Sequence, residues 1–173
     1  MFYIIVFIFG SIWGSFSNVC IHRMPHNISV VKGRSYCPSC NKQIRWFDNI
    51  PLLSFIFLKA KCRHCSNQID LNYFLVELIS ALNFVLIFYL FGFSSTTILF
   101  FILSICFIII FFIDMKHFII PNELTFTLMI IGFLKSFDPY LNQYLFPNYL
   151  DSLIGGVIGL SLIHISEPTR PID

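Results

Sequence analysis

The sequence predicts an α-helical polytopic membrane protein, with about five apolar helices and a small polar module between the first and the second. Composition is the first reason: 57% of the 173 residues are hydrophobic and only 12% are charged, whereas soluble domains carry about 25% charged residues. Patterning is the second reason, because the 22 Phe and the aliphatic residues are collected in long runs. The third is a group of four cysteines within the longest polar segment.

Five apolar runs are candidate membrane helices. They are residues 1–19, 73–93, 97–113, 124–137 and 150–165. Nothing basic precedes the first run, so it predicts a retained span and not a cleaved secretory signal. The fourth run is short for a span, which needs about 20 residues. The fifth contains Gly155, Gly156 and Gly159, and small residues favour close helix packing. We see no internal repeat along the chain.

The polar module, residues 20–72, holds eight of the 11 Lys and Arg residues of the chain. A basic segment of this kind is compatible with nucleic-acid binding, but between apolar runs it is better explained by the positive-inside rule. We therefore expect a cytoplasmic module, membrane lipid around the helices and no nucleic-acid partner. Residues 49–58 are apolar but too short to span. They are expected to pack under the module or to lie at the membrane interface.

Two Cys-x-x-Cys pairs, separated by 21 residues, lie within the module. Such knuckles are typical of a structural zinc site with four thiolate ligands and no open coordination position. The predicted ligands are Cys37, Cys40, Cys62 and Cys65. A redox-active pair of dithiols is the alternative, which a reducing cytoplasm disfavours. Cys20 and Cys106 lie in or beside apolar runs and are interpreted as small buried hydrophobic residues.

Two acidic residues lie at or inside apolar runs. Asp114 stands at the end of the third run, and an ionisable group at a membrane boundary is a functional candidate; an ordinary charge at a helix end is the alternative. Pro121 ends the following loop, and Asn122 is a candidate cap for a helix beginning near Glu123. Glu77 lies inside the second run. It is expected either to face the bundle or a cavity, or to extend to the interface.

Several segments together resemble the type IV prepilin peptidase family, the membrane aspartic proteases of family A24 that are also called leader peptidases. The family's N-terminal motif reads GSFLNVxxxRxP, its entry to the second helix reads YPxVEL, and its first catalytic motif is an Asp five residues before IPD or IPN. The matching segments are Gly14-Ser-Phe-Ser-Asn18-Val-Cys-Ile-His-Arg23-Met-Pro25, Asp48-Asn-Ile-Pro51 between the two knuckles, Tyr73-Phe-Leu-Val-Glu77-Leu, and Asp114 followed by Pro121-Asn122.

The resemblance implies a bifunctional, multi-pass enzyme of the bacterial inner (plasma) membrane with its zinc module in the cytoplasm. Family members cleave the leader of prepilins and pseudopilins after a glycine at the cytoplasmic membrane face. Many then methylate the new N-terminus with S-adenosylmethionine. The resemblance makes Asp114 one residue of a catalytic pair, and two carboxylates that share a proton can activate water and protonate the carbonyl oxygen.

The second Asp of that pair is expected in a Gly-x-Gly-Asp motif after a glycine-rich helix. No such motif follows Gly159, and Asp138, Asp151 and Asp173 do not stand in one. Residues 161–173 resemble vector or adaptor read-through, with a natural disordered tail as the alternative. We therefore predict a non-native tail, and a chain that as written lacks its second catalytic Asp and does not cleave prepilin.

The predicted domain organisation has four parts. These are a membrane helix at residues 1–19, the zinc module at 20–72, a bundle that begins the peptidase domain at 73–160, and the tail at 161–173. Residues 1–19 and 73–93 join the module in the family's N-terminal region. Two other functions remain open: a non-enzymatic zinc-knuckle adaptor of a pilus or secretion system, and a membrane thiol oxidoreductase.

Overall fold

A computed structural model describes residues 1–31, 33–135, 150 and 154–158 of the chain. The predictions for residues 161–173 and for a second catalytic Asp after Gly159 lie outside these residues. The main helices are α1 Phe2–Arg23, α2 Leu53–Phe57, α3 Leu71–Phe91, α4 Ser95–His117 and α5 Asn122–Lys135. The chain forms two compact units, Met1–Pro121 and Asn122–Asp173, and α1 to α4 belong to the first.

Three helices of the described part are long and apolar enough to cross a membrane. They are α1 with the short turn that follows it (Phe2–His26), α3 and α4, with 25, 21 and 23 residues. The prediction of a largely helical chain is confirmed, and these three helices are candidate membrane spans by their length and composition. The fourth apolar run forms α5, whose 14 residues are fewer than the about 20 that a span needs. Most of the fifth run lies outside the described residues.

Polar caps fix where the two later spans begin. The Asp70 carboxylate accepts a hydrogen bond from the N–H of Asn72 at 3.0 Å, which caps α3. The Ser94 hydroxyl accepts one from the N–H of Thr97 at 3.2 Å, which caps α4. Each cap satisfies a backbone donor that the first turn of a helix leaves free. The two spans therefore start at sequence signals that stand just outside the apolar runs.

Helices α1 and α3 run antiparallel and touch through glycine. A Cβ atom built on Gly14 would lie 2.7 Å from the Cα of Glu77, and one on Gly10 would lie 2.9 Å from the Cα of Ala81. Both distances are shorter than carbon–carbon contact allows. The missing side chains let the two backbones approach, as small residues do between membrane helices.

Aromatic contacts define the two ends of the three-helix bundle. The rings of His26 and His117 lie 5.7 Å apart at one end, and those of Phe2 and Phe93 lie 5.5 Å apart at the other. Residues 24–70 follow α1 at the end of the bundle where the rings of His26 and His117 meet. We therefore call this end the module end. Asp114, in the last turn of α4, lies at this end too.

Gly14→Ala is expected to destabilise the bundle by about 1–3 kcal/mol, because the added methyl forces α1 away from α3. The melting temperature of the protein in detergent, followed by circular dichroism, should fall accordingly. Gly132→Ala is the matched control, since a Cβ on Gly132 in α5 meets no atom within 4 Å and Ala favours a helix. Equal melting temperatures for the two variants would show that the close α1–α3 contact does not stabilise the protein.

Candidate metal centre and candidate active site

The two Cys-x-x-Cys pairs form knuckles with the same backbone hydrogen bonds. Cys37 and Cys62 each donate their N–H to the carbonyl oxygen five residues further on, at 2.9 and 2.8 Å. Each also accepts from the residue after the second cysteine, Asn41 at 2.8 Å and Ser66 at 2.9 Å. Asn41 and Ser66 both have a positive φ, 53° and 57°. The backbone thus makes the same tight turn twice.

This pair of turns is a short internal repeat, which corrects the expectation that the chain contains none. The pattern Cys-x-x-Cys-x-x-Gln-Ile occurs at residues 37–44 and again at residues 62–69. Gln43 and Gln68 hold equivalent positions, each in an isolated antiparallel bridge to the residue before the first cysteine of its knuckle. The repeat becomes visible when each cysteine pair is aligned together with the four residues that follow it. The spacing of the apolar runs does not show it.

The four predicted ligands come together. The Sγ atoms of Cys37, Cys40, Cys62 and Cys65 all lie within 4.8 Å of one another, and those of Cys37 and Cys65 are 3.9 Å apart. Four sulfurs at about 2.3 Å from a tetrahedral zinc ion stand about 3.8 Å from each other. The knuckles therefore bring the thiols close to the geometry that zinc requires, without a disulfide between them.

The four thiols affect one another's ionisation. Burial raises the pKa of Cys37, but hydrogen bonds from the N–H groups of Cys40 and Ser39, with the neighbouring thiols, outweigh burial and lower it to about 6. The N–H of Asn67 lowers the pKa of Cys65, but desolvation and the other three thiols outweigh it and raise this pKa to about 11. The group therefore stabilises one thiolate and opposes the formation of further thiolates. A bound cation removes this opposition, because its positive charge stabilises all four thiolates.

Polar contacts join each knuckle to the rest of the module. Arg63, inside the second knuckle, donates to the Asp48 carboxylate with its Nε at 2.9 Å. The hydrogen bond from Arg63 holds the pKa of Asp48 below its usual value. Asn67 donates its side-chain amide to the Ser39 hydroxyl of the first knuckle. The segment Asp48-Asn-Ile-Pro51 is thereby fixed to the second cysteine pair.

Two residues of the N-terminal motif connect α1 to its surroundings. Asn18 is buried and donates its Nδ2 to the Tyr73 carbonyl of α3 at 2.9 Å. Arg23 is buried as well, and its guanidinium donates to the carbonyls of Ser29 at 3.0 Å and Arg34 at 3.3 Å. In this way a charged side chain at the end of α1 organises the first loop of the module.

Glu77 connects α3 to the module. Its Oε2 accepts the backbone N–H of Leu52 at 2.8 Å, and Leu52 has a positive φ of 61°. The sequence predicts either a side chain that faces the bundle or a cavity, or one that extends to the interface. The structure shows a half-buried carboxylate that is bonded to the backbone of the module. The long-range partner, 25 residues earlier, has no local signal in the sequence.

A cavity of about 390 Å³ lies between the module and the ends of α1 and α3. Its polar lining includes Asn18, Tyr36, Asp48, Asp70 and Tyr73. Binding sites for small molecules typically measure about 300–1,000 Å³ and combine apolar walls with a few polar groups. The cavity has the volume of such a site, and it adjoins the cysteine cluster, since Cys37 and Cys62 also line it.

Asp114 is exposed in the last turn of α4. The helix ends three residues later, where the N–H of Phe118, which has a φ of 53°, donates to the Asp114 carbonyl at 2.9 Å. Pro121 is buried, and α5 begins at Asn122, so Asn122 is its first helical residue and not the residue before it. Asp114 thus presents a solvent-accessible carboxylate at the module end of an apolar helix.

Fold and site together define a helical membrane protein with a four-cysteine module and an acidic residue at one helix end. The family model of the bacterial peptidase A24 N-terminal domain matches residues 8–91, and that of the type IV leader peptidase family matches residues 101–166. The chain belongs to the type IV prepilin peptidase family.

Curated relatives agree with this assignment. A prepilin leader peptidase/N-methyltransferase of Vibrio cholerae is 36% identical over 95% of this chain and 67% of its own length. Proteins of the same description from Myxococcus xanthus and Bacillus subtilis are each 34% identical, over 96% and 90% of the chain and 48% and 59% of their own lengths. The chain therefore spans about half to two thirds of these relatives. No solved structure matches the chain.

Proposed function

We propose that the protein is a prepilin or pseudopilin leader peptidase of the bacterial inner membrane, which cleaves after a glycine at the cytoplasmic face and methylates the new N-terminus. The observation that carries the proposal is Asp114, an exposed carboxylate at the same end of the bundle as the four-cysteine module. The positive-inside rule assigns this end, with its basic module, to the cytoplasm. Prepilins and pseudopilins are the protein partners, lipid surrounds the helices, and nucleic acid has no part.

Peptide hydrolysis by carboxylates requires two of them, one to activate water and one to protonate the carbonyl oxygen. We assign one role to Asp114. The other carboxylates of the first unit are engaged elsewhere: Asp48 with Arg63, Asp70 with Lys116 at 3.2 Å, and Glu77 with the Leu52 N–H. We expect the second catalytic carboxylate beyond residue 121, in the Gly-x-Gly-Asp motif that the family resemblance implies.

Zinc is the metal that the four-cysteine cluster fits best. Four thiolates would occupy all its tetrahedral positions, so the ion has a structural role and leaves no site for water or substrate. Its contribution is to join the two knuckles, which also share a hydrogen bond from the Asn67 side-chain amide to the Ser39 hydroxyl. His64, although it lies between two ligands, is exposed and has no place in the coordination.

S-adenosylmethionine is the methyl donor of the second reaction. We place it in the cavity between the module and α1 and α3, whose volume suits a nucleoside of this size and whose lining includes carboxylate, amide and aromatic groups. The carboxylates of Asp48 and Asp70 have acceptor capacity left for hydroxyl groups, because each carboxylate offers about four lone-pair sites. The rings of Tyr36 and Tyr73 supply apolar surface, and Asn18 fixes the wall that α1 and α3 form together.

The proposal is tested in a chimera in which residues 1–158 continue into the remaining C-terminal part of the Vibrio cholerae relative. In a strain that lacks its own prepilin peptidase, the chimera should restore leader cleavage, seen as a shift of the pilin band. Purified chimera should transfer the labelled methyl group of S-adenosylmethionine to the cleaved pilin. The unextended chain, assayed beside it, reports whether the second carboxylate lies within residues 1–173.

A zinc-knuckle adaptor without enzyme activity is the competing function. It would leave prepilin uncleaved in the same strain while the chimera accumulates to a normal level in the membrane. That result would contradict the peptidase proposal.

A further inference from the structure

Residues 49–58, which precede the second knuckle, lie alongside the membrane helices. The Leu52 N–H bonds to Glu77 at 2.8 Å, and the rings of Phe55 and Phe74 stack with their centroids 5.1 Å apart. Glu77 is six residues inside α3, which begins at Leu71. At 1.5 Å per residue, it stands about 9 Å along the helix from its polar end. The segment therefore lies alongside α3 and extends about one to two helical turns from the N-terminal end of that helix.

The same segment also lies beside α1. Residues 49–53 and one face of α1, which includes Ile8, Ile12 and Phe16, line a common apolar groove. Ile8, Ile12 and Phe16 are all among the exposed large hydrophobic residues of a helix that is long enough to cross a membrane. The groove is thus continuous with the surface that α1 presents to lipid.

The short helix α2 turns an apolar face away from the protein. Leu53, Ile56 and Phe57 are exposed by 52, 60 and 80%, and their i, i+3, i+4 spacing places them on one side of the helix. Phe55 contacts α3 instead. A cluster of this kind is unfavourable in water and favourable against lipid, because contact with lipid removes apolar surface from water.

Charge at the two ends of the segment fits the edge of a bilayer. Arg45 precedes it, and Lys59 and Lys61 follow it, and all three are exposed. Basic residues next to an apolar face favour the anionic headgroups of membrane lipids, while the apolar side chains enter about 5–10 Å below them. This depth agrees with the level at which Leu52 meets Glu77.

Backbone at that depth must have its polar groups satisfied by the protein. The N–H groups of Leu53, Ser54 and Leu58 donate to carbonyls within the segment, at 2.6, 3.0 and 2.9 Å. The N–H of Leu52, at a left-handed residue before the first turn, is satisfied by the Glu77 carboxylate. Glu77 therefore supplies the acceptor that lets an irregular turn lie next to lipid.

We propose that residues 49–58 form a membrane anchor that enters the bilayer interface beside α1 and α3, with Leu53, Ile56 and Phe57 in contact with lipid, and that Glu77 positions it through the Leu52 N–H. The anchor fixes the height of the four-cysteine module above the membrane. Lipid is its occupant because the apolar face continues the lipid-facing surface of the spans and is bordered by basic residues.

The experiment measures the depth of one tryptophan in vesicles. In the full chain, Trp13→Phe and Trp46→Phe remove both native tryptophans, and Phe57→Trp then introduces a single one. The protein is reconstituted in phosphatidylethanolamine and phosphatidylglycerol vesicles, with or without bromine on the acyl chains. We expect the brominated lipid to remove most of the fluorescence at position 57. The matched control is Val31→Trp, a module position exposed by 86%, which should lose little.

Two further variants test the part played by Glu77. Glu77→Gln keeps a carbonyl acceptor for the Leu52 N–H and should preserve the quenching at position 57. Glu77→Leu removes the acceptor and should reduce quenching toward that of the Val31→Trp control, at an unchanged elution volume in detergent. Unquenched emission from Phe57→Trp would overturn the proposal, whether red-shifted as in water or blue-shifted as under another protein segment. Equal quenching at positions 31 and 57 would overturn it as well. None of these readouts depends on peptidase activity.

Discussion

Asp114→Asn in the chimera described above is expected to abolish leader cleavage while leaving the amount of protein in the membrane unchanged. The substitution keeps the shape of the side chain and removes its ability to accept a proton from water. General acid–base groups contribute about 10²–10⁴-fold to the rate, so cleavage should fall at least by this factor. Mass spectrometry of pilin incubated with purified enzyme measures the fraction from which the leader has been removed.

Two controls separate a chemical role from a structural one. Asp138→Asn, at an acidic residue outside the catalytic motif, should cleave at the rate of the unmodified chimera. Pilin that has already been cleaved should still be methylated by the Asp114→Asn variant, because the proposed methyl-donor cavity does not include residue 114. Prepilin processing at a normal rate by Asp114→Asn would remove this residue from the catalytic pair.

The helices could be predicted from the sequence because their signal is local. The apolar run of residues 97–113 corresponds to α4, Ser95–His117, and the structure adds only the capped first turn and a polar last turn. The run of residues 73–93 corresponds to α3, Leu71–Phe91, which Gly92 ends with a φ of 58°. Hydropathy places a span within a few residues, whereas caps and left-handed turns decide its ends.

The contacts that build the site could not be predicted in the same way. Glu77 and Leu52 are 25 residues apart, and Asn18 and Tyr73 are 55 apart. From sequence alone, without the packing of α1 on α3, the side chains of Glu77 and Asn18 are each compatible with the membrane interface and with a cavity. The cysteines are different, since thiol pairs at this spacing carry their own chemistry. Their convergence followed from residue type alone.

Residues 24–70 contain almost no core of their own, and this is the reason to expect a large effect of zinc. Of the described residues in this range only Cys37 is buried. A segment with so little apolar burial needs disulfides or a metal to keep one structure, and structural zinc contributes about 10–16 kcal/mol in small knuckle domains. We expect the purified protein to carry about one zinc ion per chain, measured by inductively coupled plasma mass spectrometry.

The double variant Cys37→Ser, Cys62→Ser should lose this zinc and make the module sensitive to protease, because it removes one ligand from each knuckle. The matched control is Cys20→Ala, Cys106→Ala, which also removes two cysteines, both buried and outside the cluster. It should retain the metal. The spans of the serine variant should keep their helical circular dichroism, since the α1–α3 contact through Gly10 and Gly14 involves no knuckle residue. Metal-free protein with a protease-resistant module would show instead that contacts such as Asn67 to Ser39 hold the knuckles without zinc.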